Sequence, residues 1–128
     1  MYDCIIIGGG PAGLTAATYL GRFLRSTLVI DEGAGRAAQI PQTHNLLGFP
    51  DGISGRELLD RMREHASRYG AEMVTGVVEG IARTEAGFAA RTSSRTFEAR
   101  TILLAQGVSN NRPRIAHDAH DRGVAHGL

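Results

Sequence analysis

The sequence predicts an α/β fold with a central parallel sheet and an antiparallel β-meander. In the first half of the chain, short apolar runs alternate with stretches of helical periodicity, as in successive strand–helix–strand units. Between residues 80 and 100, short alternating segments are separated by turn residues, which is typical of a meander. The length of 128 residues suits a single domain.

The chain opens with a strand, a glycine turn and a helix. Residues 2–7, YDCIII, form an apolar run of the kind expected in a central parallel strand that is covered on both faces. The turn GGGPAG follows, and its proline suits the first helical turn, where a missing N–H leaves no bond unmade. Apolar residues then recur at helical spacing as far as Leu24, which predicts a helix.

A second strand is predicted at Thr27 to Ile30, a short β-branched run that ends on Asp31. Residues 33–52 then show no periodicity and contain two prolines, which predicts a long loop. Compact domains rarely keep an irregular loop of this length unless it serves a function. We therefore expect this loop to belong to the functional site.

A second helix is predicted to begin at Ser54, because Ser54 and Glu57 form a capping box. Gly70 suits the position just after the helix. The predicted apolar face of this helix consists of Leu58, Met62, Ala66 and Tyr69. The arginines expected to form a solvated face are Arg61, Arg63 and Arg68.

The rest of the chain is predicted to be mostly strand. Met73 to Val78 is a third strand, and the segments IARTE, GFAARTSS and RTFEAR form the meander. Residues 101–105, TILLA, are predicted as a separate apolar strand that stops at Gln106 and Gly107. The residues that follow are polar and weakly patterned.

Composition excludes several classes of protein. The formal net charge is +1 and the arginines are scattered among acidic residues, which argues against nucleic acid binding. Nowhere do about 18 apolar residues follow one another, and the first apolar run lacks a basic leader, so no membrane span or signal peptide is expected. The single cysteine, Cys4, rules out a disulfide within the chain and fits a reducing, cytoplasmic location.

The glycine turn fits the pattern G-x-G-x-x-G, with Gly8, Gly10 and Gly13 at its fixed positions. Such glycines permit a tight turn, the close approach of a pyrophosphate and close packing of helix on sheet. The phosphates would lie on backbone N–H groups at the positive end of the helix dipole, so no basic side chain is needed. The candidate phosphate site comprises Gly8, Gly9, Gly10, Pro11, Ala12 and Gly13.

Asp31 supports the same interpretation, because it closes the second strand about 20 residues beyond the turn, where a carboxylate can accept hydrogen bonds from ribose hydroxyls. Its negative charge would repel a 2′-phosphate, so the site is expected to take FAD or NAD and not NADP. Glycine turns between strand and helix also arise for packing alone, and for the motif by itself this alternative stays open.

Four segments together resemble the N-terminal part of the thioredoxin reductase family of flavoproteins. They are DCIIIGGGPAGLTAATYLGR, TLVID, QTHNLLGFPDGISGRELLDRMREHASRYGAE and TILLAQG, which follow the family's order over most of the chain. The resemblance implies a Rossmann-like FAD-binding domain, with the FAD pyrophosphate on the glycine turn and the adenosine ribose on Asp31.

The resemblance also implies roles for residues whose chemistry alone assigns none. Gln39 and Asn45 match family positions that reach the ribityl or isoalloxazine part of FAD, although by residue type they are ordinary loop residues. Val78, at the end of the predicted third strand, matches a backbone position that brackets the adenine. Ala105 and Gly107 match the family's second FAD-side motif, in which glutamine here replaces the usual threonine.

Members of the thioredoxin reductase family continue with an NADPH-binding domain and a Cys-x-x-Cys pair, and they pass electrons from NADPH through FAD to a disulfide such as that of thioredoxin. This sequence contains neither part, so we expect residues 1–128 to be an FAD-binding domain truncated before the NADPH-binding domain. On that expectation the chain has no catalytic residue of its own. A homodimer is one expected assembly.

Two other functions stay open at this point. An NAD-dependent dehydrogenase domain would use the same glycine turn and Asp31, but it would usually continue with another helical crossover in place of the meander. A non-catalytic nucleotide-binding module is the third alternative. The histidines near the end, His117, His120 and His126, lack a strict metal-binding motif, so no metal ion is expected.

Overall fold

A computed structural model describes residues 1–108, which form a six-stranded sheet and two α-helices. The elements along the chain are β1 (Tyr2–Ile7), α1 (Pro11–Arg22), β2 (Thr27–Asp31), a 3₁₀ turn (Arg36–Gln39), α2 (Gly55–Arg68), β3 (Glu72–Thr75), β4 (Val78–Thr84), β5 (Gly87–Thr92) and β6 (Thr96–Leu104). The strand order β3-β2-β1-β6-β5-β4 confirms the predicted α/β class, with a parallel core and an antiparallel meander. The three histidines of the C-terminal tail lie outside the described residues.

The parallel half of the sheet is built around β1. This strand pairs in parallel with β2 on one side, where Ile6 lies opposite Val29, and with β6 on the other, where Ile5 lies opposite Ile102. Because β1 has neighbours on both sides and layers on both faces, Ile5 and Ile6 are completely buried. This position explains the continuous apolar run at the start of the sequence.

β6 joins the two halves of the sheet. Its first residues pair antiparallel with β5, and its later residues pair in parallel with β1. Ala99 stands at the change, since it lies opposite both Phe88 and Tyr2. The prediction of two separate segments, RTFEAR and TILLA, was therefore wrong. The alternation of polar and apolar residues gives way to an apolar run at the point where β6 stops pairing with β5 and starts pairing with β1. In the sequence, this change of pattern resembles a boundary between two elements.

Two layers cover the parallel part of the sheet. On one face, Ile5 and Ile7 of β1 pack with Ala90 and Phe97 of the meander. On the other face, Ile6 packs in the cluster that includes residues of both α-helices. Within residues 1–108, neither helix combines the length and apolarity needed to cross a membrane.

α2 begins and ends as predicted, but its buried face differs from the prediction. The Ser54 hydroxyl accepts a hydrogen bond from the Glu57 N–H at 3.2 Å, and Gly70 follows the helix with a left-handed φ of 84°. The buried face contains Leu59 in place of Leu58, whereas Tyr69 is 42% exposed. The reason is tertiary, because α2 packs against α1 and the 3₁₀ turn and these contacts set the rotation of the helix.

The third strand is shorter than predicted. β3 ends at Thr75, and Val78 is the first residue of β4. The parallel ladder between β2 and β3 ends where the Gly76 N–H donates to the Asp31 carbonyl at 2.9 Å, and the chain then continues into the meander. Val78 therefore follows the carboxyl end of β3 without being part of it.

Candidate functional site

A cleft of about 600 Å³ lies along the carboxyl ends of the parallel strands β1, β2, β3 and β6. This volume is in the range of small-molecule sites, roughly 300–1,000 Å³. The predicted site residues that line it are Gly8, Gly9, Gly10, Pro11, Ala12, Asp31, Gln39, Val78, Ala105 and Gly107. The structure thus brings together residues that are far apart in the sequence.

Gly8 and Gly13 are glycines for reasons internal to the chain. Gly8 has a left-handed φ of 111°, and a Cβ there would overlap the carbonyl oxygen of Ala105. A Cβ at Gly13 would overlap the carbonyl oxygen of Gly8, so the missing side chain lets α1 approach the turn closely. Gly13 does not line the cleft. It allows the helix to pack closely against the turn, which is the packing role predicted for it.

Gly10 differs from these two glycines. Its φ of −77° is available to any residue, and no atom lies within 4 Å of the place that a Cβ would occupy. Neither backbone strain nor packing among the described residues therefore requires a glycine here. Gly10 lines the cleft, so an absent side chain at this position leaves room for a ligand to touch the backbone.

The start of α1 leaves backbone N–H groups without a partner from a side chain. Its N-cap residue is Gly10, no side chain within residues 1–108 caps the helix, and the first turn contains no acidic residue. The first N–H groups of a helix have no partner within the helix, and they carry the positive end of its dipole. Because this helix start lines the cleft, the cleft has the chemistry of an anion site.

Asp31 is held beside the glycine turn. One carboxylate oxygen, Oδ1, accepts from the Gly9 N–H at 2.9 Å, and the other, Oδ2, accepts from the Gly33 N–H at 3.2 Å. The side chain is 24% exposed. Each oxygen keeps a further lone pair, so the carboxylate is still able to accept hydrogen bonds from a ligand hydroxyl.

Arg63 reaches the cleft from α2, and its Nη2 lies 3.8 Å from Oδ2 of Asp31. The prediction that Arg63 belongs to a solvated face was therefore wrong. Arg61 and Arg68 do form exposed ion pairs on α2, with Glu57 and Glu64 respectively.

Gln39 and Asn45 are separated in the structure. Gln39 ends the 3₁₀ turn and lines the cleft. Asn45 lines a different, shallow depression formed by residues 44–50, and its Oδ1 accepts from the Thr43 hydroxyl at 2.6 Å. The described geometry therefore places Gln39 at the cleft and Asn45 apart from it.

Residues 2–126 match the family described as pyridine nucleotide-disulphide oxidoreductase. This chain belongs to that family. The thioredoxin reductase of Bacillus subtilis is 38% identical over 130 residues, a match that covers 98% of this chain and 41% of the relative. A solved thioredoxin reductase from Gloeobacter violaceus has a TM-score of 0.82 at 33% identity, covering 96% of this chain and 42% of its own. The atypical thioredoxin reductase of Desulfovibrio vulgaris Hildenborough has a TM-score of 0.80 at 38% identity, covering 93% of this chain and 40% of its own.

Within the pyridine nucleotide-disulphide oxidoreductase family, this chain corresponds to the N-terminal FAD-binding part of the thioredoxin reductases, which confirms the predicted resemblance. It spans about two fifths of the length of the relatives just named. Membership of the family implies a flavin cofactor. The uncapped start of α1 and the open position at Gly10 fit the diphosphate of such a cofactor.

Three charged residues at the cleft of this oxidoreductase-family chain were not predicted as site residues. They are Glu32, Arg36 and Arg63. Glu32 and Arg36 lie in or beside a loop without periodicity, so no sequence pattern indicated which way they face. No sequence pattern indicated Arg63 either, because its place at the cleft, one helical turn after Leu59, depends on the rotation of α2. A correct rotation of α2 would have placed Arg63 at the site.

Proposed function

We propose that this chain binds FAD in the cleft, with the diphosphate on the glycine turn and the adenosine ribose on Asp31. The observation that carries the proposal is the start of α1, where, among the described residues, no side chain caps the backbone N–H groups and Gly10 leaves an open space beside them. A diphosphate would accept from these N–H groups, and the helix dipole would stabilise its charge. Asp31 would accept from the ribose hydroxyls with the lone pairs that Gly9 and Gly33 leave free.

The other predicted residues are assigned to the same cofactor. Val78 would border the adenine, since it lines the cleft two residues after Gly76, whose N–H donates to the Asp31 carbonyl. Gln39 would approach the ribityl or isoalloxazine part of FAD. Ala105 and Gly107, which follow β6, would let the cofactor approach the backbone in the same cleft. Asn45 stays a prediction, because its place outside the cleft gives the assignment no geometric support.

The chain's part in electron transfer is to hold and orient the flavin. Bound FAD would supply two-electron redox chemistry that no side chain of the protein provides. Thiol–disulfide exchange needs a reactive thiol pair, whereas Cys4, the only cysteine, is buried in β1. We therefore assign no catalytic residue to this chain.

For the whole protein we propose the reaction that the relatives' names indicate, the reduction of a disulfide such as that of thioredoxin. NADPH would supply the electrons, as in the relative from Arabidopsis thaliana named NADPH-dependent thioredoxin reductase 3. In that scheme residues 1–128 form the FAD-binding domain and NADPH binds elsewhere. A cytoplasmic location and a homodimer remain predictions of the sequence.

The proposal is tested by titrating the purified chain with FAD, FMN and NAD and following flavin fluorescence, and by calorimetry for NAD. We expect FAD to bind more tightly than FMN, because FMN lacks the adenosine that Asp31 would hold. Binding of NAD without binding of FAD would support a dehydrogenase domain instead. A chain that binds none of the three ligands would contradict the proposal.

A further inference from the structure

Arg63 is less exposed than the other arginines of α2. Its side chain is 36% exposed, whereas the side chains of Arg61 and Arg68 are 60% and 74% exposed. Arg61 and Arg68 each pair with a glutamate one turn earlier on the same helix. Arg63 instead extends from α2 to the end of β2, and it lines the cleft.

Two carboxylates hold Arg63 in this position. Its Nη1 donates to Oδ1 of Asp60, three residues earlier on α2, at 3.1 Å. Its Nη2 faces Oδ2 of Asp31 at 3.8 Å, which is an ion pair but too long for a hydrogen bond. Asp60 therefore tethers the guanidinium, and the positive charge remains directed at the carboxylate of the cleft.

Asp31 is in turn held by groups from three directions. The Gly9 N–H approaches Oδ1 from the glycine turn, the Gly33 N–H approaches Oδ2 from the loop after β2, and Arg63 approaches Oδ2 from α2. An acceptor that is held in place before binding loses less side-chain entropy when the ligand arrives.

We propose that Arg63 is a positioning residue for the adenosine end of FAD, which it acts on through Asp31. This inference rests on the FAD-binding function proposed above. Arg63 needs no contact with the cofactor for this role, since its charge holds the carboxylate that receives the ribose. Its removal then weakens binding of ligands that contain the adenosine and leaves binding of FMN unchanged.

The experiment is a double-mutant cycle that measures the Kd for FAD at low salt in the parent chain, Arg63→Met, Asp31→Asn and the double variant. We expect Arg63→Met to weaken FAD binding about fivefold, the size typical of a partly exposed ion pair. In the Asp31→Asn background the same change is expected to have no further effect, because the partner through which Arg63 acts has lost its charge. Arg63→Lys keeps the charge and is expected to recover most of the affinity.

Arg68→Met is the matched control, because Arg68 occupies an exposed ion pair on the same helix and lies away from the cleft. It is expected to leave both the FAD and the FMN affinities unchanged, and circular dichroism checks that every variant is folded. Additive effects of Arg63→Met and Asp31→Asn, an equal loss of FMN binding, or a lysine variant as weak as the methionine variant would each overturn the inference. FAD binding by the parent chain separates these results from failure of the proposed function, which would appear as no FAD binding at all.

Discussion

The two α-helices begin in the same way but complete their first turns differently. Each follows an extended N-cap residue, Gly10 for α1 and Ser54 for α2. At α2 the chain satisfies one of the first backbone N–H donors itself, since the Ser54 hydroxyl accepts from the Glu57 N–H, and the Glu57 carboxylate adds a negative charge to the first turn. At α1 the part of the chain that the structure describes provides no capping side chain, and the first turn contains no acidic residue. A helix start that the chain leaves incomplete, at the mouth of a cleft, is suited to a ligand.

Both helix starts also contain a glycine whose role is clear from its surroundings. A Cβ at Gly55 would overlap the carbonyl oxygen of Ala37, so this glycine lets α2 pack against the 3₁₀ turn. A Cβ at Gly10 would meet no atom within 4 Å. The contrast shows that a glycine required by the fold can be distinguished from one that leaves room for a binding partner.

The largest expected effect comes from adding a side chain to the glycine turn that positions the start of α1. Gly8→Val would place a side chain against the Ala105 carbonyl at a left-handed φ, and we expect a loss of at least about 3 kcal/mol in the free energy of unfolding, together with loss of FAD binding. Urea denaturation followed by circular dichroism measures this change. Gly10→Ala is the control, because we expect it to alter the free energy of unfolding by less than about 0.5 kcal/mol. Equal stability of the two variants would mean that the turn relaxes freely.

The most direct test of this difference between the helices makes the start of α1 resemble that of α2. In Gly10→Asp, a carboxylate would cap the first N–H groups and repel the diphosphate, so we expect FAD to bind roughly 100-fold more weakly while the stability stays equal or rises by a few tenths of a kcal/mol. Flavin fluorescence and urea denaturation measure the two quantities. Gly10→Asn has a similar shape without the charge, and it is expected to weaken FAD binding less. If both variants bound FAD as well as the parent chain, the diphosphate would not lie at this helix start.

The reverse change removes the cap of α2. Ser54→Ala is expected to lower the free energy of unfolding by about 1 kcal/mol, because the Glu57 N–H loses its acceptor, and to leave the affinity for FAD unchanged. Ser54→Gly is expected to cost only a few tenths of a kcal/mol. A loss of FAD affinity without a loss of stability would mean that both helix starts serve the binding of FAD, and not α1 alone.

The smallest expected effect lies at the end of β1 opposite the cleft. Asp3 accepts from the backbone and the hydroxyl of Ser26, and these hydrogen bonds hold the pKa of its carboxyl below its ordinary value near 3.8. The ionised form therefore stabilises the fold above that value, and this contribution disappears as the pH falls through the lowered pKa. Stability measured against pH should fall slightly more steeply at acid pH for the parent chain than for Asp3→Asn. Identical acid profiles would contradict this assignment, and FAD binding at neutral pH should be the same in both.

Features that depend on neighbours in the sequence were predicted correctly. The N-cap at Ser54, the left-handed Gly70 after α2 and the glycine turn before α1 all arise from contacts within a few residues. Of the predicted capping box only the Ser54 half forms, because the Glu57 carboxylate pairs with Arg61. The fold class followed from the same local patterns. The cleft residues Asp31 and Val78 were identified as well, although Val78 was placed in the wrong strand.

The errors concern features set by distant parts of the chain. The rotation of α2 depends on α1 and the 3₁₀ turn, so the sequence pattern selected Leu58 where the structure buries Leu59. β6 continues through Ala99 because it finds a second partner in β1, which no pattern within β6 shows. Arg63 was predicted to be solvated for the same reason as Leu58, since both predictions depended on the rotation of the helix.

By itself, the sequence determined where the backbone turns, where helices begin and which helix start lacks a side-chain cap, because φ angles, caps and turns are decided by neighbouring residues. Only the tertiary structure decided that Asp31 lies against Gly9, that Arg63 reaches Asp31 and that Asn45 lies apart from Gln39. These placements depend on how helices and loops pack on the sheet. Packing is a property of the whole set of contacts, and each residue meets partners that its own sequence neighbours do not reveal.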